Sequence, residues 1–304
     1  MSGRDRLAKI ALCSAVYSQP AHVAGQFADG VVEFLRNEPD CVLAFAVENG
    51  TDVSAFLPQG VRDSRVLTIH APPQTSPVAL RRLMLEAGMS SGADCLVFCD
   101  CDDVVSESAA SLHRRGLRGA DISYGNLDLI NWKGERLNQS LFGGAPAFQR
   151  ISGSDSIAQR NVFGLSNTAV RSSVFAGGIP EIPQSVVAVD WYLFTVLLDQ
   201  GAHAAYAGGS VASYRQYVDN TLGASAAVSS DQLAKRLTIA ERHFQALPAT
   251  RARQEAELAL RRVRQELDKE SGAIQGMMSL MPPLRAWYED LFGIAAQLAD
   301  HTEG

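Results

Sequence analysis

Nowhere do the 304 residues hold an apolar run approaching the ~20 residues of a membrane span, so no integral membrane segment is expected. A basic excess is missing too. Lys and Arg number 27 against 33 Asp and Glu, a net charge of -6, which leaves no basic face for a phosphate backbone and removes nucleic acid as an expected partner. Cysteine is sparse and odd in number at five, and Cys95, Cys99 and Cys101 crowd one segment, as suits reduced core residues rather than disulfides. No partner pair of Cys or His stands at zinc spacing from Cys99 and Cys101, which argues against a soft-metal site. The opening Met1-Ser2-Gly3-Arg4-Asp5-Arg6 is polar and unlike a secretory leader, so a cytoplasmic protein is the expectation. The chain has no internal repeat. What remains, 46% hydrophobic and 20% charged, is the composition of an ordinary globule, long enough for one α/β domain with an appendage.

The most informative stretch is Leu96-Val97-Phe98-Cys99-Asp100-Cys101-Asp102-Asp103, an apolar run ending in three close carboxylates. It reads as a buried strand that delivers acids to its C-terminal rim, where ligands bind in open α/β sheets. Clustered carboxylates repel unless a proton or cation neutralises them, which points to a divalent ion or a phosphoryl-bearing ligand. The plainer alternative is a solvated loop capping a helix that starts near Ser106. Upstream, Lys9 to Tyr17, Cys41 to Val47 and Arg65 to Ile69 read as strands, with helices from Ala21 to Arg36 and from Ser76 to Met89. Apolar strands separated by such helices predict βαβ units in a mostly parallel sheet covered on both faces. Farther on, Asp121 to Ile130, Gly164 to Val170 and Ala204 to Tyr214 read as strands and Val189 to Gln200 as a helix, while Leu141 to Ser156 is Gly-rich and reads as a mobile loop. From Ser229 the residues are strong helix formers with charges of both signs interspersed, which predicts two units: a catalytic domain over 1–228 and a helical extension over 229–304.

Four ordered segments carry chemistry. Val47-Glu48-Asn49-Gly50-Thr51-Asp52 ends the second strand; Glu48 there suits a ribose hydroxyl or base N–H, although Asn-Gly is also a plain turn. Asp100-Cys101-Asp102 is a D-x-D. Val189-Asp190-Trp191 opens a helix, which Asp190 is placed to cap. Tyr214-Arg215-Gln216-Tyr217 continues through Asn220 to Gly223, and a planar guanidinium such as Arg215 suits phosphate oxygens. At the first strand end, Tyr17 is placed to stack or hydrogen-bond, or to serve as a core tyrosine.

Together these segments, from about Ile10 to Gly223, resemble the inverting GT-A glycosyltransferases of family 2, with the C-terminal eighty or so residues outside the likeness. The resemblance implies a GT-A α/β fold and transfer of a sugar from a nucleoside diphosphate sugar to an acceptor hydroxyl with inversion. It makes Asp190 the general base and Asp102 the ligand of Mn2+ or Mg2+. Tyr17, Glu48, Asp100 and Arg215 become nucleotide-sugar ligands, and the segment from Asn161 to Thr168 fits the stretch before the acceptor region. Tyr217 departs from the pattern, since many members carry a His there that completes the metal shell. The acceptor, whether glycan, lipid-linked or protein, stays open, and a homodimer through the C-terminal helices is plausible.

Two other readings compete. Leu96 to Val105 also fits the phosphatase loop of the haloacid dehalogenase superfamily, with Asp100 as nucleophile and Asp102 as general acid, but three strands precede it and the later Lys and paired acids are missing. An inactive nucleotide-binding scaffold draws support from Tyr217, while Asp100, Asp102 and Asp190 speak for activity. A nucleotidyltransferase is disfavoured because Cys13 to Ala21 holds no glycine.

Overall fold

The computed structural model describes residues 9–61, 63–144, 148–217, 229–269, 274, 276 and 289–302. Its first half runs β1 (Ile10–Val16), α1 (Ala21–Asn37), β2 (Val42–Val47), β3 (Val66–His70), α2 (Pro77–Ser90) and β4 (Cys95–Phe98). β1 is buried on both faces, and its alternation sorts the core. Ala11, Cys13 and Ala15 meet Leu80, Met84 and Leu85 of α2, whereas Ile10, Leu12 and Val16 join Ala24, Phe27, Val31 and Phe34 of α1. The α1 residues recur at helical spacing and form one stripe. At Gly30 a Cβ would stand 2.7 Å from Val104 Cγ1, so a bare backbone there lets the helix close on the sheet. α2 begins where expected: the Ser76 hydroxyl accepts from the Ala79 amide at 3.2 Å and Pro77 fills the first turn.

Beyond β4 come β5 (Val104–Val105), α3 (Ala109–Leu117), β6 (Ile122–Asn131), β7 (Arg136–Ser140), β8 (Arg150–Ile151), β9 (Thr168–Arg171), α4 (Val189–Asp199), β10 (Ala204–Gln216), α5 (Ser230–Gln245), α6 (Arg251–Asp268) and α7 (Glu289–Thr302). The ten strands form one sheet in the order β3-β2-β1-β4-β9-β6-β10-β5, with β7 on β6 and β8 on β10. β3, β2, β1 and β4 are parallel neighbours, as the alternating pattern predicts. From there the sheet is mixed. β9 enters between β4 and β6 antiparallel to both, and β6 and β10 are parallel to each other. Because β1 pairs β2 on one side and β4 on the other, the strand order reverses there, and in open α/β sheets the ligand crevice lies outside the carboxyl ends of the strands at such a point.

The C-terminal helices continue the core on the α2 side. Leu233, Leu237, Ala240 and Phe244 of α5 and Ala256 and Leu260 of α6 belong to the cluster that holds Trp191, Leu193 and Phe194 of α4. Two contacts grip α4. Near its start the Trp191 ring stacks on His243 of α5 with centroids 3.8 Å apart, and at its end Asp199 pairs with the buried Arg253 of α6 at 2.7 Å. Ser154 joins that pair, donating to Asp199 at 2.5 Å and contacted by Arg253 at 2.6 Å, while Thr250 bonds Asp155 at 2.7 Å. The segment read from sequence as a mobile loop is thus tied down over its second half, where β8 pairs β10 and Ile151 is buried. Among the described residues no helix is long and apolar enough to cross a membrane.

Asp199→Ala leaves the Arg253 charge buried without a counter-ion and is expected to cost about 3 kcal/mol. Arg253→Met costs less, because Asp199 is 31% exposed and water takes over its solvation. Urea denaturation of the two variants checks the order.

Candidate active site at the carboxyl ends of β1 and β4

The predicted residues of the first half leave the sheet at strand ends. Tyr17 follows β1 directly, Glu48 follows β2 with its amide on the Val16 carbonyl at 2.8 Å, and Asp100 to Asp103 follow β4. Tyr17, Asp100, Asp102 and Asp190 converge. The Tyr17 phenol and the Asp102 carboxylate lie close enough to influence one another, and Asp190, in the first turn of α4, feels the charges of Asp100 and Arg81. Asp190 Oδ1 accepts the Trp191 amide at 2.8 Å, so the helix end orients the carboxylate. Asn220 and Gly223 of the last segment lie outside the described residues.

The three acids of the loop do different work. Asp103 is buried at 2% exposure, accepts the Ser166 hydroxyl and takes the Arg215 amide at 2.8 Å, so it is committed to the scaffold. Asp100 pairs with Arg81 of α2 at 2.9 Å, and the same guanidinium lies 5.6 Å from the centre of the Tyr17 ring. Asp102 is left beside the Tyr17 phenol.

Arg215 is built in differently from a phosphate ligand at an open rim. At 1% exposure, its Nε donates to the Asp102 carbonyl at 2.7 Å, Nη1 to the Trp132 carbonyl at 3.1 Å and Nη2 to Gln26 Oε1 at 2.7 Å. Carbonyls turned inward where three loops meet need a donor, and a fork of five N–H groups serves several at once. Gln26 of α1 extends the network to the Lys133 carbonyl at 2.8 Å. Gly134, at φ +92°, leaves room for this amide, since a Cβ would stand 2.4 Å from Gln26 Nε2. Trp191 is fully buried and stacked on His243.

Burial dominates the electrostatics. It pushes the Asp190 carboxyl up to about 6, with the Asp100 charge adding to it and the Trp191 amide opposing. Burial and then Asp100 raise Asp102, and burial and then Asp102 raise Asp103. The Tyr17 phenol lies far above its usual range through burial and the charges of Asp102 and Asp100. Tyr217, beside Asp102, is pushed up to about 12 by burial and that carboxylate. All five thiols are buried, and burial raises each of them, so none is a ready thiolate for a soft metal. The oxygens of Asp102 and Asp100 suit a hard cation that keeps other oxygen ligands of its own. Among the described residues no group of three or more His, Cys, Asp or Glu is placed to hold a metal ion.

Sequence reasoning passed over Arg81, Gln26, Ser166 and His243. Arg81 had a signal: it shares a helical face with the buried Met84, Leu85 and Gly88, where a charge needs a partner.

No protein-family model matches the sequence, and no curated protein matches it. Solved structures do match in fold. The mannosyltransferase PcManGT from Pyrobaculum calidifontis, in complex with GDP-Man and Mn2+, aligns with a TM-score of 0.55 at 12% identity, covering 97% of this chain and 86% of that one. Residues 1–349 of S. aureus TarS, in complex with UDP, align with a TM-score of 0.50 at 10% identity over 88% of this chain and 74% of that one. The chain shares its fold with these two proteins.

Because the folded protein holds the Asp190 proton up to about 6 against 3.8 for an ordinary aspartate, ionising this group costs stability as pH rises through that interval. Asp190→Asn removes the cost. Its melting temperature is expected to exceed wild type at pH 7.5 and to match it at pH 3.5, which thermal denaturation at both values checks.

Proposed function

We propose that the protein transfers a sugar from a nucleoside diphosphate sugar to an acceptor hydroxyl, with inversion at the anomeric carbon. The observation that carries this reading is the convergence of Tyr17, Asp100, Asp102 and Asp190 on one crevice at the strand-order reversal of a glycosyltransferase fold. Glu48 and Tyr17, at the ends of β2 and β1, hold the nucleoside; Asp100 lies toward the ribose and donor sugar, with Arg81 as its counter-ion. Asp102 holds Mn2+ or Mg2+, which when bound neutralises the leaving diphosphate. Arg215 serves the donor from beneath, fixing the backbone that carries Asp102, instead of reaching the phosphates.

Asp190 is the general base. Its ionised carboxylate takes the proton of the acceptor hydroxyl as that oxygen bonds to the anomeric carbon and the bond to the diphosphate oxygen breaks on the opposite face. A carboxyl raised to about 6 is a stronger base than an ordinary aspartate and is still mostly ionised at pH 7. The buried stack of Trp191 on His243 keeps the first turn of α4, and so this carboxylate, in place.

A thermal-shift panel of UDP, GDP, dTDP, CMP and their common sugar conjugates, with and without Mn2+, tests the reading. A shift by one nucleoside diphosphate that grows with Mn2+ and is lost in Asp102→Ala supports it. No shift with any of them overturns it and favours phosphate-ester hydrolysis or an inactive scaffold. With the donor so identified, Asp190→Asn is expected to keep donor binding and lose about 10²–10⁴-fold in turnover. Wild-type kcat should fall about tenfold per pH unit below pH 6 as the base protonates.

A further inference from the structure

Arg215 and Tyr217 are two residues apart where β10 ends, so their side chains leave the extended chain on the same side. The Arg215 guanidinium reaches the Asp102 carbonyl, and the Tyr217 ring is delivered to the same loop, close enough for the Asp102 charge to bear on its phenol. Its hydroxyl oxygen is buried and has no hydrogen-bond partner among the described residues. Such an oxygen costs stability unless something arrives to accept its proton. None of the nearby carboxylates takes its proton: Asp103 accepts from Ser166 and the Arg215 amide, Asp100 pairs with Arg81, and Asp102 lies beside the Tyr17 phenol without bonding Tyr217. An anion brought in from outside is the acceptor that fits. At neutral pH a phenol is protonated, so it meets an anion as a donor and is a poor ligand for a hard cation.

We propose that Tyr217 donates its hydroxyl to a non-bridging oxygen of the bound diphosphate, and that the divalent cation therefore enters with the nucleotide. Among the described residues no group of three or more His, Cys, Asp or Glu is placed to hold that cation, and Tyr217 adds only a neutral phenol beside the acids. A hard divalent ion held by one or two carboxylates takes its remaining ligands from phosphate and water. The inference rests on the nucleotide-sugar reading above and assigns Tyr217 as the residue that exchanges cation ligation for diphosphate recognition.

The test titrates the nucleoside diphosphate found in the panel, its parent nucleoside and Mn2+ alone into the full chain by calorimetry. Tyr217→Phe is expected to bind the diphosphate about tenfold more weakly, to bind the nucleoside as wild type does and to melt no lower than wild type, since the lost hydroxyl had no partner. Tyr217→His is expected to bind Mn2+ without nucleotide at least about tenfold more tightly than wild type. The proposal is overturned if Tyr217→Phe binds the diphosphate normally, if it melts lower, or if wild type binds Mn2+ alone as tightly as with nucleotide. Should no nucleoside diphosphate bind wild type under any condition, the donor reading itself falls and this assignment with it.

Discussion

A guanidinium sealed from water must find acceptors for its N–H groups and negative charge near it, and the acid-bearing rim of this fold is organised around that demand. Arg215 lies under the acid loop and draws three separate pieces of chain toward itself: the backbone of Asp102, the turn at Trp132 and the first turns of α1 through Gln26. The loop carries Asp100, Asp102 and Asp103 within four residues, an arrangement that Coulomb repulsion opposes. A cation below the loop and a second, Arg81, beside it offset that repulsion and let the loop keep its shape before any ligand arrives. Preorganisation of this kind removes part of the cost of ordering a site at the moment of binding.

The other half of the site is held from the opposite direction. Asp190 comes from a helix nearly ninety residues after the acid loop, and that helix is gripped by α5 and α6 through His243 and Arg253. The C-terminal helices therefore serve as a brace for the crevice and bury their apolar faces in its core. The rim is fixed by hydrogen-bonded charge and Asp190 by packing, and both bring together carboxylates whose protons are held up by burial. Sites that need such groups give up stability to hold them, because an ionised carboxylate is costly wherever water is scarce.

Much of this was legible in the residues. Alternation along Ile10 to Val16 and the helical stripe of α1 give the parallel half of the sheet, and an apolar strand ending in acids marks the rim. What was not legible has physical causes. β9 carries the same apolar signature as a parallel strand, and only the route of the chain makes it antiparallel to its neighbours. The direction of the Arg215 side chain depends on carbonyls of loops over eighty residues away, which no local pattern encodes. His243 meets Trp191 across more than fifty residues, and a lone histidine among helix formers reads as surface. Arg81 was the avoidable omission, since a charge on a buried helical face announces a partner.

The most direct measurement is a crystal structure of the full chain with the nucleoside diphosphate it binds and Mn2+. The account predicts the diphosphate and the cation against Asp102 in the crevice between β1 and β4, Asp190 facing the opening, and Arg215 still bonded to the Asp102 and Trp132 carbonyls. A nucleotide bound elsewhere on the fold, or an Arg215 side chain swung out onto the phosphates, would contradict it.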